Sequence, residues 1–180
     1  VINDKEKQIL AVEKRTSAFP STRNVIRKIS ERLNDTLGLN NLNVHINPIY
    51  DKQFFWDFIA DKSIKKIEFS LITPNMANIS KALSDELKNM AKTSNTAKTD
   101  IRLNAADGTS LIIKRDNTYI NDLVEYSSQG GGTIKVQTKG ARKFTDINKG
   151  ITTMSFDSLT LESNNPKNII DMINYILGEQ

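Results

Sequence analysis

"YSSQGGGTIKVQTKGARKF", residues 126–144, runs from the end of a helical pattern through three glycines into an alternating segment and then a basic loop. Ile134 and Val136 alternate with polar residues, as in a strand with one buried face and one solvated face. A helix that leads through glycines into a strand indicates a fold in which helices and strands are mixed along the chain.

The three glycines raise the question of a phosphate-binding loop. Such loops run from a strand into glycines and then into a helix, because the anion needs the free N–H groups and the positive dipole end of that helix. Here Gly130, Gly131 and Gly132 follow a helix and so face its negative end. The order favours a C-terminal cap and a flexible turn. The alternative is that the bare backbone admits a ligand or another chain.

Periodicity in the rest of the chain predicts alternating helices and strands. Helices are predicted at 4–15, from Thr22 as N-cap to Gly38 as left-handed C-terminal residue, and at 51–62, 76–92, 117–128 and from 165 onward. Strands are predicted at 42–46, 64–72, 100–105, 133–138 and 151–161, and residues 111–113 fit either a strand or a helix. We expect an α/β or α+β fold with a single mixed sheet of about five strands, some of them parallel, and flanking helices. The predicted domains are an N-terminal helical arm, 1–40, and a mixed α/β domain, 41–180.

Composition excludes several classes of site. The 180 residues include no cysteine and one histidine, His45, which removes thiolate chemistry and most zinc sites. Asp57, Asp61 and Glu68 are the acids considered for a metal site, but exposed acids on a helix are the usual explanation. No residue is placed by sequence to activate His45 as a catalyst. We therefore predict a non-enzymatic protein without a cofactor or a metal.

Positive charge is concentrated in one segment. The net charge is +4, yet residues 132–149 hold five cations against one anion, and residues 150–180 hold one cation against four anions. A concentrated basic strip is typical of contact with a phosphate backbone, although a solvated edge strand protected by lysines gives the same pattern. The predicted nucleic-acid-binding residues are Lys135, Lys139, Arg142, Lys143 and Arg102.

An aromatic segment, Phe54, Phe55 and Trp56, is predicted as a partner contact. Its alternative is a place in the hydrophobic core. The thin apolar stripe of the first helix also favours a homo-oligomer or a larger parent protein. No apolar run is long enough to cross a bilayer, so a cytoplasmic location without membrane insertion is expected.

Three segments together carry a resemblance to a known group: IKKIEFSLITPN (64–75), TDIRLNAADG (99–108) and EYSSQGGGTIKVQTKG (125–140). Their pattern resembles the C-terminal part of bacterial and prophage proteins linked to phage exclusion, including the lambda Rex type. The resemblance implies an intracellular defence component that contacts DNA and acts as a dimer or with a membrane partner. It carries no catalytic residues over to this chain.

These observations predict a nucleic-acid-binding domain of a bacterial or prophage anti-phage defence protein, with DNA as the expected and weakly sequence-specific partner. The alternative is a protein-interaction or oligomerisation domain that uses residues 54–58 and the N-terminal helices.

Overall fold

The centre of the main sheet is the segment IKKIEFSLI, which forms one continuous strand in the computed structural model. The residues that the structure describes are 2–4, 9–12, 17, 21–73, 83–147 and 171. The helices are α1 (Thr22–Leu37), α2 (Lys52–Ala60), α3 (Asp85–Thr93) and α4 (Thr118–Tyr126). The strands are β1 (Ile2–Asp4), β2 (Ile9–Ala11), β3 (Ile64–Ile72), β4 (Lys98–Asn104), β5 (Gly132–Thr138) and β6 (Thr145–Asp146).

The main sheet has the strand order β4-β3-β5-β6, and β1 pairs with β2 in a separate sheet. This architecture confirms the predicted α/β or α+β class with one principal sheet and flanking helices. The expectation of some parallel pairing was wrong, because every described strand pair is antiparallel. The predicted strand at 151–161 and the predicted helix from 165 onward lie outside the described residues, apart from residue 171, which is helical.

One face of the sheet forms the hydrophobic core. Ile67, Phe69 and Leu71 of β3 are fully buried, which confirms the alternation predicted for this strand. Helices α2 and α4 cover that face through buried apolar side chains at helical spacing. Those side chains are Phe55, Trp56, Ile59, Ile120, Leu123 and Val124. The opposite face of the sheet carries polar side chains, and it is the face on which the candidate site lies.

The chain divides into two compact units, one formed by Asn47–Thr152 and the other by Val1–Ile46 with Thr153–Gln180. The first holds the main sheet, whereas the second holds β1, β2 and α1. The prediction of a helix at 4–15 was wrong at residue 4 and at residues 9–11, which lie in strands. Three apolar residues in a row make too thin a stripe for a packed helix, while backbone pairing with β1 satisfies their polar groups.

The N-cap of α1 lies one residue before Thr22, the cap that the sequence indicated. Ser21 is the N-cap and accepts a hydrogen bond from the Asn24 N–H. Gly38 has a right-handed conformation and starts a short 3₁₀ turn, whereas Asn41 takes the left-handed conformation, with φ 57°. The left-handed residue therefore follows the 3₁₀ turn and is an asparagine, which tolerates this conformation better than most residues do.

The strand predicted at 42–46 is absent from the structure. Asn34 of α1 binds both backbone groups of Val44, donating to its carbonyl oxygen at 3.2 Å and accepting from its N–H at 2.6 Å. Since these groups are satisfied by a side chain, Val44 has no need of a neighbouring strand. His45, on the same segment, is exposed.

Candidate nucleic-acid interface

A row of alternating charges crosses the polar face of the sheet. Arg102 on β4 lies opposite Glu68 on β3, Glu68 lies opposite Lys135 on β5, and Lys135 lies opposite Asp146 on β6. The Arg102 Nε donates to Glu68 Oε2 at 2.9 Å, and a second guanidinium nitrogen contacts the same oxygen. Arg102 and Lys135 therefore share the open face, as the sequence predicted, but carboxylates lie beside both of them.

A third carboxylate on this face is also compensated. Asp100 on the edge strand accepts a hydrogen bond from the Ser70 hydroxyl at 2.6 Å and forms an ion pair with Lys98 at 2.9 Å. The Ser70 hydrogen bond, followed by the Lys98 ammonium, lowers the pKa of the Asp100 carboxyl from its ordinary value. The middle of the sheet is thus a mixed-charge surface and not a continuous cationic strip.

The other predicted cations lie at one end of the sheet. Lys139, Arg142 and Lys143 occupy the exposed loop between β5 and β6. The Lys139 N–H donates to the Ser63 carbonyl at 2.7 Å, and the Gln137 side-chain amide donates to the Ala141 carbonyl at 2.9 Å. The first hydrogen bond ties the loop to the residue that precedes β3, and the second closes the loop onto the end of β5.

A β-bulge brings two further lysines to this end. The register between β3 and β5 passes from the pair Ile64–Thr138 to the pair Lys66–Gln137, so Lys65 is an extra residue without a partner of its own. Ile64 and Ile67 are consequently both buried, although residues three apart in a regular strand point to opposite faces. The two lysines between them are left on the solvent side, where Lys65 is exposed and Lys66 half-buried.

Lys62 adds a sixth cation where α2 ends. Its ammonium donates to the Phe58 carbonyl at 2.6 Å and lies 4.2 Å from the centre of the Phe58 ring. We call the set of six cations the basic end of the sheet: Lys62, Lys65, Lys66, Lys139, Arg142 and Lys143. Among the described residues, no carboxylate forms a salt bridge with any of the six.

Sequence analysis did not select Lys62, Lys65 or Lys66, because about 75 residues separate them from the basic loop. Only the pairing of β3 with β5 places the two groups together. A local signal did exist, since two adjacent lysines interrupt the apolar alternation at the start of β3. Such an interruption is typical of a bulge.

The aromatic segment is divided between core and surface. Phe55 is fully buried and Trp56 is 7% exposed, with their rings in an edge-to-face contact at 5.0 Å between centroids. Arg115 lies over the Trp56 ring at 5.4 Å. These two aromatic residues lie in the hydrophobic core, which is the alternative position in the sequence interpretation. Phe54, at 39% exposure, is the member of the predicted contact that remains on the surface.

Other atoms of the same chain lie close to the three glycines. Gly130 has φ 89°, the left-handed conformation that a turn after a helix uses. A Cβ on Gly131 would lie 2.3 Å from the Tyr126 ring, and a Cβ on Gly132 would lie 2.3 Å from the Ser70 carbonyl oxygen. The bare backbone therefore admits neighbouring parts of the same chain, and the turn interpretation accounts for Gly130.

The described ranges also bear on metal binding and on membrane insertion. No group of three or more His, Cys, Asp or Glu residues there could hold a metal ion. No helix there is long and apolar enough to cross a membrane.

Comparison with known proteins gives a family match. The family model described as "Domain of unknown function (DUF4747)" matches residues 3–149, a range that contains the whole described sheet and the basic end. No curated protein and no solved structure matches the chain.

Proposed function

The chain belongs to the DUF4747 family, whose description assigns no activity, and we propose that it is a non-enzymatic protein that binds nucleic acid through the basic end of its sheet. The observation that carries the proposal is that six cations from two distant segments lie at one end of the sheet, five of them on β3 and the basic loop and Lys62 where α2 ends, without a carboxylate partner among the described residues. Lysine and arginine side chains gathered on one surface release counterions from a phosphate backbone when they bind it.

The proposed interface differs from the one predicted from sequence. Lys139, Arg142 and Lys143 remain its centre, and the lysines at the start of β3 join them. Arg102 is left out because Glu68 already neutralises its guanidinium. Lys135 is peripheral, since Glu68 and Asp146 flank it in the sheet.

DNA is the proposed ligand, in keeping with the resemblance to phage-exclusion proteins carried by residues 64–140. Under this proposal the protein contributes to bacterial or prophage defence by holding DNA with little sequence preference. Phosphate contacts fix position on the nucleic acid but carry no base information.

Binding of a labelled DNA duplex, followed by fluorescence anisotropy across a salt series, tests the proposal. The variant Arg142→Glu with Lys143→Glu reverses two charges in the exposed loop. We expect it to weaken binding at least about tenfold at low salt and to lower the slope of log K against log salt by about 2.

The matched control is Lys88→Glu with Lys92→Glu on α3, which changes the net charge by the same four units. The control variant should bind DNA with an affinity within about twofold of that of the unchanged protein, because its substitutions lie outside the basic end and alter only the net charge. Equal losses in both variants, or no binding of either the duplex or its single strands by the unchanged protein at low salt, would overturn the proposed function.

A second candidate function is protein interaction through the unit that contains α1. None of the sixteen residues of α1 is buried, although Val25, Ile26 and Ile29 form an apolar stripe at helical spacing. Leu33, Leu39 and Leu42 are 40%, 86% and 56% exposed. An apolar surface of this kind is typical of a contact with another chain.

Light scattering over a concentration series tests this candidate in its homo-oligomeric form. We expect a rise in mass with concentration that Leu33→Glu abolishes, whereas Asp35→Ala, an exposed change on the same helix, leaves the rise intact. A monomeric mass throughout the series excludes self-association.

A further inference from the structure

We infer that the nucleic acid bound at the basic end is a duplex, held by its phosphates without base stacking. The inference rests on the proposed function and specifies its ligand. It follows from the distribution of carboxylates and aromatic rings over the open side of the sheet.

The open face of the sheet is unsuited to a single strand. Single-stranded nucleic acid on a sheet needs a positive track for its backbone and aromatic side chains on which successive bases stack. Here Glu68, Asp100 and Asp146 are spread over β3, β4 and β6, so a strand lying across this face would pass three carboxylates. The outward positions of β3, β4 and β5 carry no aromatic residue. Those positions are Lys66, Glu68, Ser70, Ile72, Lys98, Asp100, Arg102, Asn104, Thr133, Lys135 and Gln137.

The exposed aromatic rings of the described residues do not form a stacking series either. Phe54 and Tyr119 are exposed, but they belong to α2 and α4, which pack on the opposite face. The Lys62 ammonium lies over the Phe58 ring and occupies the surface that a base would need. Phe144, 37% exposed and next to Lys143 in the basic loop, is the single ring left beside the cations on the open side.

The basic end provides what a duplex requires. Duplex DNA has the higher charge density, about one phosphate charge per 1.7 Å of helix axis, and neutralising its phosphates releases more counterions per contact than a single strand does. Six cations with one adjacent aromatic ring gain more binding free energy from the high phosphate charge density of a duplex than from stacking on unpaired bases. The bulge strengthens this preference, because it turns Lys65 and Lys66 to the same side of β3.

The experiment compares a labelled duplex of about 20 base pairs with each of its own single strands, using the full chain and a salt series. We expect the duplex to bind about tenfold more tightly at low salt, with a steeper salt dependence. Phe144→Ala should change both affinities by less than about twofold, whereas Lys65→Glu with Lys66→Glu should weaken duplex binding at least about tenfold.

Two results would overturn the inference and leave the proposed function standing: single strands that bind as tightly as the duplex, or a loss of about fivefold or more in single-strand affinity on Phe144→Ala. A protein that binds neither form at low salt would instead overturn the proposed function itself. The two failures are therefore distinguishable in one set of titrations.

Discussion

Replacing Gly132 with alanine tests the packing of β5 against the central strand. The added Cβ would lie 2.3 Å from the Ser70 carbonyl oxygen and 3.1 Å from the Leu71 Cα, both of which are backbone atoms of β3. Relief to an ordinary contact of 3.4 Å requires a movement of 1.1 Å, the difference 3.4 − 2.3. Backbone atoms cannot rotate away as a side-chain end can, so the two strands must separate at this point.

Such a separation strains the ladder between β3 and β5 at its Leu71–Gly132 end, where both residues are buried. We expect Gly132→Ala to lower the free energy of unfolding by about 2–3 kcal/mol, the upper part of the range for overpacked interiors. That loss is a large fraction of a typical domain stability. Urea denaturation followed by circular dichroism measures it as a shift of the midpoint at constant m-value.

Gly38→Ala is the matched control, since no atom lies within 4 Å of its added Cβ and the residue has a helical φ of −57°. It should change stability by less than about 1 kcal/mol, or raise it, because alanine restricts the unfolded chain more than glycine does. A Gly132→Ala protein as stable as this control would refute the reasoning. It would mean that β5 approaches β3 less closely than the structure indicates.

Two further perturbations address the core and the polar face. Phe55→Ala should lower the free energy of unfolding, measured by urea denaturation, by about 3–5 kcal/mol, because this ring is fully buried. Phe54→Ala on the same helix should lower it by less than about 1 kcal/mol. Similar losses in the two variants would contradict the assignment of Phe55 to the core. Ser70→Ala should raise the pKa of Asp100 toward its ordinary value, as measured by NMR titration of the carboxyl carbon. Because the folded-state pKa of Asp100 is lowered, the ionised carboxylate stabilises the fold above its unfolded-state pKa, and this stabilisation decreases as the pH falls through the folded-state pKa. The Ser70→Ala variant should therefore lose less stability over that acid range. An unchanged pKa of Asp100 in the variant would show that the Ser70 hydroxyl is not the main cause of the lowered pKa.

Local sequence patterns predicted much of the fold. Residues 67–71 of β3 alternate between apolar and polar side chains, and α1, α2 and α4 have apolar residues at helical spacing, so each element was recognisable alone. The prediction was wrong at 9–11, where a short apolar run is compatible with either helix or strand. It was wrong at 42–46 because an asparagine side chain ten residues away replaces the strand partner of Val44.

The candidate site was predictable only in part. The charges of Lys139, Arg142 and Lys143 could be located from sequence, since they lie in one short loop. Neutralisation of Arg102 by Glu68 could not, because the two residues are 34 positions apart and meet through strand register. The same holds for Phe55, whose burial depends on how α2 packs on the sheet.

By itself, the sequence determined the type of most elements, the absence of cysteine chemistry and the accumulation of cations after the glycines. Tertiary structure alone decided which cations form no salt bridge with a carboxylate of the described residues, and that two lysines at the start of β3 lie beside the basic loop. The physical reason is that side-chain periodicity is set by local backbone geometry, whereas strand register joins residues far apart in the chain. One extra residue in β3, Lys65, shifts that register and thereby sets the composition of the basic end.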